Sequence, residues 1–293
     1  MKKIGFITCQ EFPDLHPSDE LVAQELMQAG VDVVVRPWNE SSSEQFIEAA
    51  NEIDMIVVRS TWDYPASPAA FRQWLIALQA HENVVNGPAL MHWNFTKRYL
   101  MHLAVAGAPV PPTRFVAPAR QDLANAMAEL GVDEAIVKPV IGATASGLSR
   151  ICKDDPAGLT DATARLGQAG LVQPFIREIQ TLGETSMIFI DGQFTHAVVK
   201  RPKAGDIRVQ EEFGGQTARC HPGPSTIAAA QSVLKMLPHP PVYARIDAII
   251  FDAGGVDERL QLMEVEVIEP ELFFTHAPEA VGRFADALLK RLN

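Results

Sequence analysis

Short apolar runs alternate with amphipathic stretches through the first third of the chain. Residues 4–8, 31–36, 55–59 and 83–86 read as strands, and residues 18–29, 43–50 and 67–80 as helices, the last with Pro68 in its first turn. Strands and helices in alternation predict a parallel, doubly wound sheet, whose ligands gather beyond the C-terminal ends of the strands. Just past the third strand comes a polar and aromatic loop, Arg59, Ser60, Thr61, Trp62, Asp63 and Tyr64. Two readings of it stand side by side. In one it is a substrate loop, with Arg59 as a carboxylate clamp and Trp62 or Tyr64 as a wall. In the other it packs Trp62 inward and leaves Asp63 to cap something local.

A helix over 94–106, closed by Gly107, and a stiff connector over 108–113 mark the next boundary. Helices at 121–130 and 156–168 and strands at 134–139, 148–152 and 171–175 then predict an α+β module. Strands at 185–190 and 193–200 are joined by Asp191-Gly192, a strong hairpin signal. A helix at 225–236, a second hairpin and a helix at 278–292 complete the chain. The predicted fold is α/β: a Rossmann-like N-terminal domain over 1–93 followed by two α+β lobes, 94–176 and 177–293.

The second hairpin carries the densest chemistry. Tyr243–Phe251 and residues 259–267 flank a turn-forming stretch, and a period of two puts Glu264 and Glu266 on one face. If the loop is symmetric, Asp247 lies opposite Glu264 and Arg245 opposite Glu266. Three acids facing one arginine repel one another and call for a divalent cation. The plainer alternatives are an edge hairpin whose charges face water and a structural Arg245 to Glu266 pair.

Composition narrows the partners. The chain has 293 residues, 47% of them apolar, and a net charge of −11. With no cluster of basic residues, neither nucleic acid nor an anionic membrane is the expected partner, and a small molecule is. The three cysteines, Cys9, Cys152 and Cys220, are far apart and form no CxxC, so a reduced cytoplasmic setting is expected and no zinc knuckle. The N-terminal apolar run is too short for a signal peptide, and no segment approaches the roughly 18 apolar residues of a membrane span. The histidines show no ligand spacing, which leaves oxygen ligands for any metal.

Between two predicted strands, Lys138 leads into a loop of small residues that includes Gly142, Ser146 and Gly147. Small side chains let backbone N–H groups approach phosphate oxygens, and Lys138 adds charge, although a hairpin tip also favours Gly and Ser. Lys97, Lys138, Lys200, Arg208 and Arg245 are isolated cations in apolar or polar settings. Singly each reads as a surface side chain. Together with an acidic metal face they describe a triphosphate held between Mg²⁺ and lysines.

The order of these motifs, Lys97, Val-Lys138-Pro, the small-residue loop, Gln173-Pro-Phe175-Ile176, Gly183-Glu184, Lys200, Gly205-Asp-Ile-Arg208, Arg245-Ile-Asp247 and Glu264-Val-Glu266, resembles the ATP-grasp superfamily. The likeness runs from about residue 94 to the end, with a Rossmann-like domain in front as that family has it. Lys200 to Gly215 resembles the glutathione synthetase and ribosomal-protein glutamate ligase branch. The 59–64 loop and the tail at Glu269-Pro270 resemble a narrower bacterial group, the O-ureido-D-serine cyclo-ligases of the cycloserine pathway.

The resemblance implies an adenine between two lobes, contacted by the strand at Gln173, Phe175 and Ile176, with Glu178 or Glu184 on the ribose. It puts Lys97 and Lys138 on the phosphates under a lid containing Gly142, Ser146 and Gly147. It makes Asp247, Glu264 and Glu266 the ligands of two Mg²⁺ ions, with Mn²⁺ as the other ion, and Lys200, Arg208 and Arg245 the catalytic cations. Glu269 joins the 59–64 loop in the substrate pocket. One departure stands out: the last metal position is usually Asn in the superfamily and is Glu266 here. The implied activity is ADP-forming carbon–nitrogen ligation of a small amino-acid-like carboxylate through an acyl phosphate, with no side-chain nucleophile and an intramolecular cyclo-ligase as its sharpest version. A non-catalytic ATP-binding partner or regulator is the competing class, and a homodimer or higher homo-oligomer stays among the expectations.

Overall fold

The computed structural model describes residues 1–143 and 145–292; Thr144, in the small-residue loop, and Asn293 lie outside the described residues. In the N-terminal part, β1 (Lys3–Thr8), α1 (Pro17–Gln28), β2 (Asp32–Pro37), α2 (Ser43–Ala50), β3 (Met55–Val58) and α3 (Pro68–Ala77) alternate. Their strands pair in parallel in the order β2-β1-β3. The helix starts are written locally: Pro17 opens α1 after His16, whose Nδ1 accepts the Ser18 N–H at 3.4 Å, and Ser42 with Gln45 forms a capping box on α2.

The strand expected at 83–86 is a single bridge between Ile56 and Val84. Asn86 enters the left-handed region (φ 63°), and Pro88 at once opens α4 (Pro88–Asn94). The single helix expected over 94–106 is also divided. α5 (Tyr99–Val105) follows α4 after a corner at 95–98, where the Lys97 N–H donates to Val140 O at 2.8 Å instead of continuing the helical ladder.

The next lobe contains β4 (Arg114–Val116), α6 (Arg120–Leu130), β5 (Glu134–Pro139), β6 (Ser149–Cys152), α7 (Pro156–Arg165) and β7 (Gly170–Pro174). Its antiparallel sheet runs β4-β7-β5-β6 and shares a core with the helices through Leu123, Met127, Val137 and Val172. The last lobe contains α8 (Ile179–Leu182), β8 (Glu184–Ile190), β9 (Gln193–Arg201), β10 (Gln216–Cys220), α9 (Pro224–Leu234), β11 (Tyr243–Phe251), β12 (Arg259–Glu266) and α10 (Val281–Leu292). Its antiparallel sheet runs β10-β9-β8-β11-β12. Asp191 (φ 48°) and Gly192 (φ 72°) are both left-handed at the β8–β9 turn, as a two-residue type I′ hairpin requires. The short β4, α8 and β10 have no counterpart in the sequence reading.

The N-terminal sheet and the last lobe share one core: Phe6, Leu26 and Met55 meet Tyr243, Phe274 and Phe284, and α1 packs on α10. Asn86 staples the two parts together, donating to Tyr243 O and Val267 O at 2.8 Å each and accepting from Val242 N–H at 2.7 Å. Asn94 does the same at the end of β12, donating to Val265 O at 2.8 Å and accepting from Val267 N–H at 3.1 Å. Buried amides of this kind fix relative placement, because breaking the contact strands several polar groups at once. Among the described residues no helix is long and apolar enough to cross a membrane.

Candidate active site

A cavity of about 430 Å³ opens where the two antiparallel sheets face each other and the N-terminal part closes one end. Its acidic floor is the β11–β12 hairpin. Asp247 pairs with Glu264 and Arg245 with Glu266, as the symmetric register predicts. Beyond Asp247 the register slips by one at a bulge, Ala248 pairs with Leu262, and Met263 turns into the cavity beside Glu264. The full symmetry assumed from sequence therefore fails on the turn side of the hairpin, and the bulge is what brings Met263 into the lining.

Each floor carboxylate is matched by a cation. Lys97, from the α4–α5 corner, donates to Glu264 Oε2 at 2.9 Å, and Lys138, from the end of β5, to Glu264 Oε1 at 3.3 Å. Arg245 donates to Asp247 Oδ2 at 3.0 Å and also binds Glu266. Lys200 lies 2.7 Å from Glu184, its cross-strand partner, and 3.6 Å from Asp247. Burial alone would raise the Glu264 carboxyl, but Lys97 and Lys138 outweigh it and hold the group at about 2. Asp247 is likewise held at about 2 against burial by Arg245 and Lys200. One guanidinium cannot satisfy every acid. Burial, with the charges of Asp247 and Glu264 behind it, pushes Glu266 up to about 7 despite Arg245. Burial and the Glu266 charge push Glu269 up to about 8.

The resemblance set Asp247, Glu264 and Glu266 as a metal cage. The structure brings them to one face, yet among the described residues no three His, Cys, Asp or Glu side chains gather as a metal site. The reason is electrostatic: Glu264 is drawn to Lys97 and Lys138, and Asp247 and Glu266 to Arg245. The donor set itself, all carboxylate oxygen, suits Mg²⁺ or Mn²⁺. The nucleotide end fits as well. Gln173, 1% exposed on the cavity wall, donates through Nε2 to Thr113 Oγ1 at 3.0 Å and leaves Oε1 without a partner, an acceptor suited to an exocyclic amine. Phe175 and Ile176 line the same wall, as do Gly142 and Ser146. Gly147 lies outside the lining; its φ of 74° and its place, where a Cβ would stand 2.6 Å from Pro139 Cγ, make it the residue that folds the loop back onto β5. Of the two ribose candidates, Glu184 lines the cavity and Glu178 is exposed outside it.

Arg208 lines the cavity but is folded into its own loop, donating to Asp206 at 2.7 Å and lying 3.9 Å over the Phe213 ring. The 59–64 loop divides. Trp62 and Tyr64 line the cavity, and Trp62 Nε1 donates to Glu269 O at 3.0 Å. Arg59 does not reach it. That side chain is 1% exposed, donates to Asp19 Oδ1 at 2.8 Å and to Pro270 O at 2.6 Å, and lies 5.1 Å over the Tyr243 ring. The clamp reading of Arg59 is corrected to a core ion pair. Ser60 and Thr61 are buried with it, and Asp63 accepts from Trp38 and Asn39 at 2.7 Å each, away from the cavity. His16, Tyr99, Met263 and Glu271 also line the cavity and were not singled out from sequence. Glu271 had a signal, two positions after Glu269; the others owe their places to packing.

Residues 4–86 match the family described as D-cycloserine synthetase DcsG, N-terminal domain, and residues 101–249 match prokaryotic glutathione synthetase, ATP-grasp domain. The cycloserine biosynthesis protein DcsG of Streptomyces lavendulae is 27% identical over 278 residues, covering 90% of each chain. The crystal structure of D-cycloserine synthetase DcsG superposes with a TM-score of 0.84 at 25% identity, over 99% of this chain and 100% of that one. D-alanine–D-alanine ligase from Bacillus anthracis gives a TM-score of 0.72 at 16% identity, over 100% and 97%, and shares the fold. The chain belongs to the prokaryotic glutathione synthetase family of ATP-grasp proteins, carries a DcsG-type N-terminal domain, and is an ATP-dependent ligase that forms carbon–nitrogen bonds in a family that works with a divalent cation.

Proposed function

We propose that this ligase activates the carboxylate of a small amino-acid-like substrate as an acyl phosphate and closes a ring onto it, in the manner of an O-ureido-D-serine cyclo-ligase. One observation carries the reading: the cavity's cationic and acidic walls from the two sheets end against Trp62 and Tyr64 of the N-terminal domain, the domain that matches the DcsG type. A carboxylate oxygen attacks the γ-phosphorus of ATP, the bond to the bridging oxygen breaks and ADP leaves. A nitrogen lone pair then adds to the acyl carbon, phosphate departs from the tetrahedral intermediate, and the nitrogen gives up a proton.

Lys97, Lys138 and Lys200 supply the positive charge for the phosphates, and Arg245 orients the carboxylate. Arg208 joins them by exchanging Asp206 for phosphate oxygen. Asp247, Glu264 and Glu266 would hold two Mg²⁺ ions, which when bound neutralise phosphate oxygens. Gln173, Phe175 and Ile176 take the adenine, Glu184 rather than Glu178 the ribose, and Gly142, Ser146 and Gly147 shape the phosphate lid. Glu269 and the aromatic pair face the substrate. The domain limits proposed from sequence stay at 1–93, 94–176 and 177–293. The unpaired Cys9, Cys152 and Cys220 support a cytoplasmic setting, and a homodimer or higher homo-oligomer remains the proposed assembly.

The test is incubation with ATP, Mg²⁺ and a panel of D- and L-amino acids and O-ureido-D-serine, following ADP and the organic product. ADP and a cyclised product should appear with O-ureido-D-serine. ATP binding without ADP release under every condition would refute a ligase and favour the regulator.

A further inference from the structure

Every strand-borne carboxylate facing the cavity has a cationic partner: Glu184 and Asp247 share Lys200, Glu264 has Lys97 and Lys138, and Glu266 has Arg245. Glu269 has none among the described residues. It is 9% exposed, lines the cavity, and its side chain is met by the Tyr64 phenol, a neutral donor. Two residues on, Glu271 also lines the cavity, with His16 3.9 Å from its carboxylate. A carboxyl taken out of water without a countercharge is costly, and a site that retains one is built for a cation brought by the ligand.

The surroundings are held rigidly. Trp62 Nε1 donates to Glu269 O at 3.0 Å, and Arg245 Nη1 donates to Glu271 O at 3.2 Å. The acid-bearing segment is therefore tied on one side to the N-terminal loop and on the other to the arginine that faces the substrate carboxylate. Phe12 and His16 pack edge-on to Trp62, with ring centroids 5.6 and 5.4 Å away, and fix that ring as a wall. An aromatic wall beside a carboxyl suits an ammonium group, by cation–π attraction and by charge.

We propose that Glu269, with Glu271 behind it and Trp62 and Tyr64 as walls, is the subsite for a protonated amino group on the substrate. This rests on the ligase reading for the neighbouring carboxylate subsite. The consequence is chemical. An amine held as ammonium has no lone pair, so it is not the nitrogen that attacks the acyl phosphate. The nucleophile must be a second nitrogen, on the same molecule or on another, and self-condensation through the first amine is suppressed. The substrate class is thus a free α-amino acid with a separate nitrogen nucleophile, and N-acylated amino acids are excluded.

The experiment is a binding cycle read by calorimetry with ADP and Mg²⁺ present. The probes are O-ureido-D-serine and its des-amino analogue, each titrated into wild type and into Glu269→Gln. Wild type should bind O-ureido-D-serine on the order of ten- to hundredfold more tightly than the des-amino analogue, and Glu269→Gln should lose that preference. Circular dichroism and retained ADP binding establish that the variant is folded. Additive losses, an unchanged preference in the variant, or no detectable binding of O-ureido-D-serine by wild type would overturn the proposal, as would a variant whose only change is a raised Mg²⁺ requirement. Coupling without ADP release in the turnover assay sinks the ligase reading alone, and ADP release without coupling sinks this one alone.

Discussion

Removing Arg59 should damage the fold and spare the chemistry. Arg59→Leu deletes the guanidinium that neutralises Asp19, itself 2% exposed, and leaves a bare carboxylate between the N-terminal sheet and the last lobe. Breaking a buried pair from one side costs about 3–5 kcal/mol, because the abandoned charge keeps its desolvation penalty. The lost hydrogen bond to Pro270 O and the Tyr243 ring contact belong to the same group and do not add in full. A loss of about 4 kcal/mol lowers the melting temperature of a chain this size by roughly 6 °C. Scanning fluorimetry and urea titration measure it, with ATP binding followed at a temperature where both proteins are folded. Asp19→Asn combined with Arg59→Met, which leaves no buried charge, should recover most of the loss. A melting temperature within about 3 °C of wild type, together with a raised substrate KM, would refute the reasoning and restore Arg59 as a substrate clamp.

Glu264→Gln removes the group bridged by Lys97 and Lys138 and should abolish ADP release while the far-ultraviolet dichroism shows the protein still folded, with a lowered melting temperature from the two lysines left unpaired. Near-normal turnover would remove Glu264 from the metal-holding role. The cleft also predicts a pH dependence of stability without ligands. With Glu266 raised to about 7 and Glu269 to about 8, the folded state binds more protons than the unfolded one above the ordinary carboxylate value, so stability falls as pH rises from about 5 to about 8. Glu264 and Asp247, held at about 2, act in the opposite sense, and their contribution is lost as pH falls below the ordinary range. Glu266→Gln should flatten the upper limb in urea titrations; an unaltered slope between pH 5 and 8 would mean that Glu266 ionises freely in the fold.

The elements whose information is local were legible. The period-two run through Glu264 and Glu266 and the Asp191-Gly192 turn each depend on a few neighbouring residues, and they form as read. Glu264 and Asp247 could be set face to face from register alone, because strand geometry is fixed. The helix expected over 94–106 broke where Lys97 N–H found Val140 O, a partner outside its own segment. Residues 83–86 had the composition of a strand but met only one bridge before the left-handed Asn86.

Sequence by itself therefore determined the alternation of the N-terminal domain, the acidic hairpin, the isolated cations and the order of motifs that marks an ATP-grasp ligase. These follow from side-chain period, turn chemistry and charge, which are properties of short segments. Tertiary structure decided the destination of each charge. Arg59 lies beyond the end of β3 as predicted, yet Asp19 on α1 and Pro270 draw it into the core. Asp247, Glu264 and Glu266 share a face as predicted, yet Glu264 is pulled to Lys97 and Lys138 and the other two to Arg245, with Lys200 beside Asp247. Among the described residues Glu269 stays without one, because burial and countercharge depend on which distant segments pack together, and no local pattern records that.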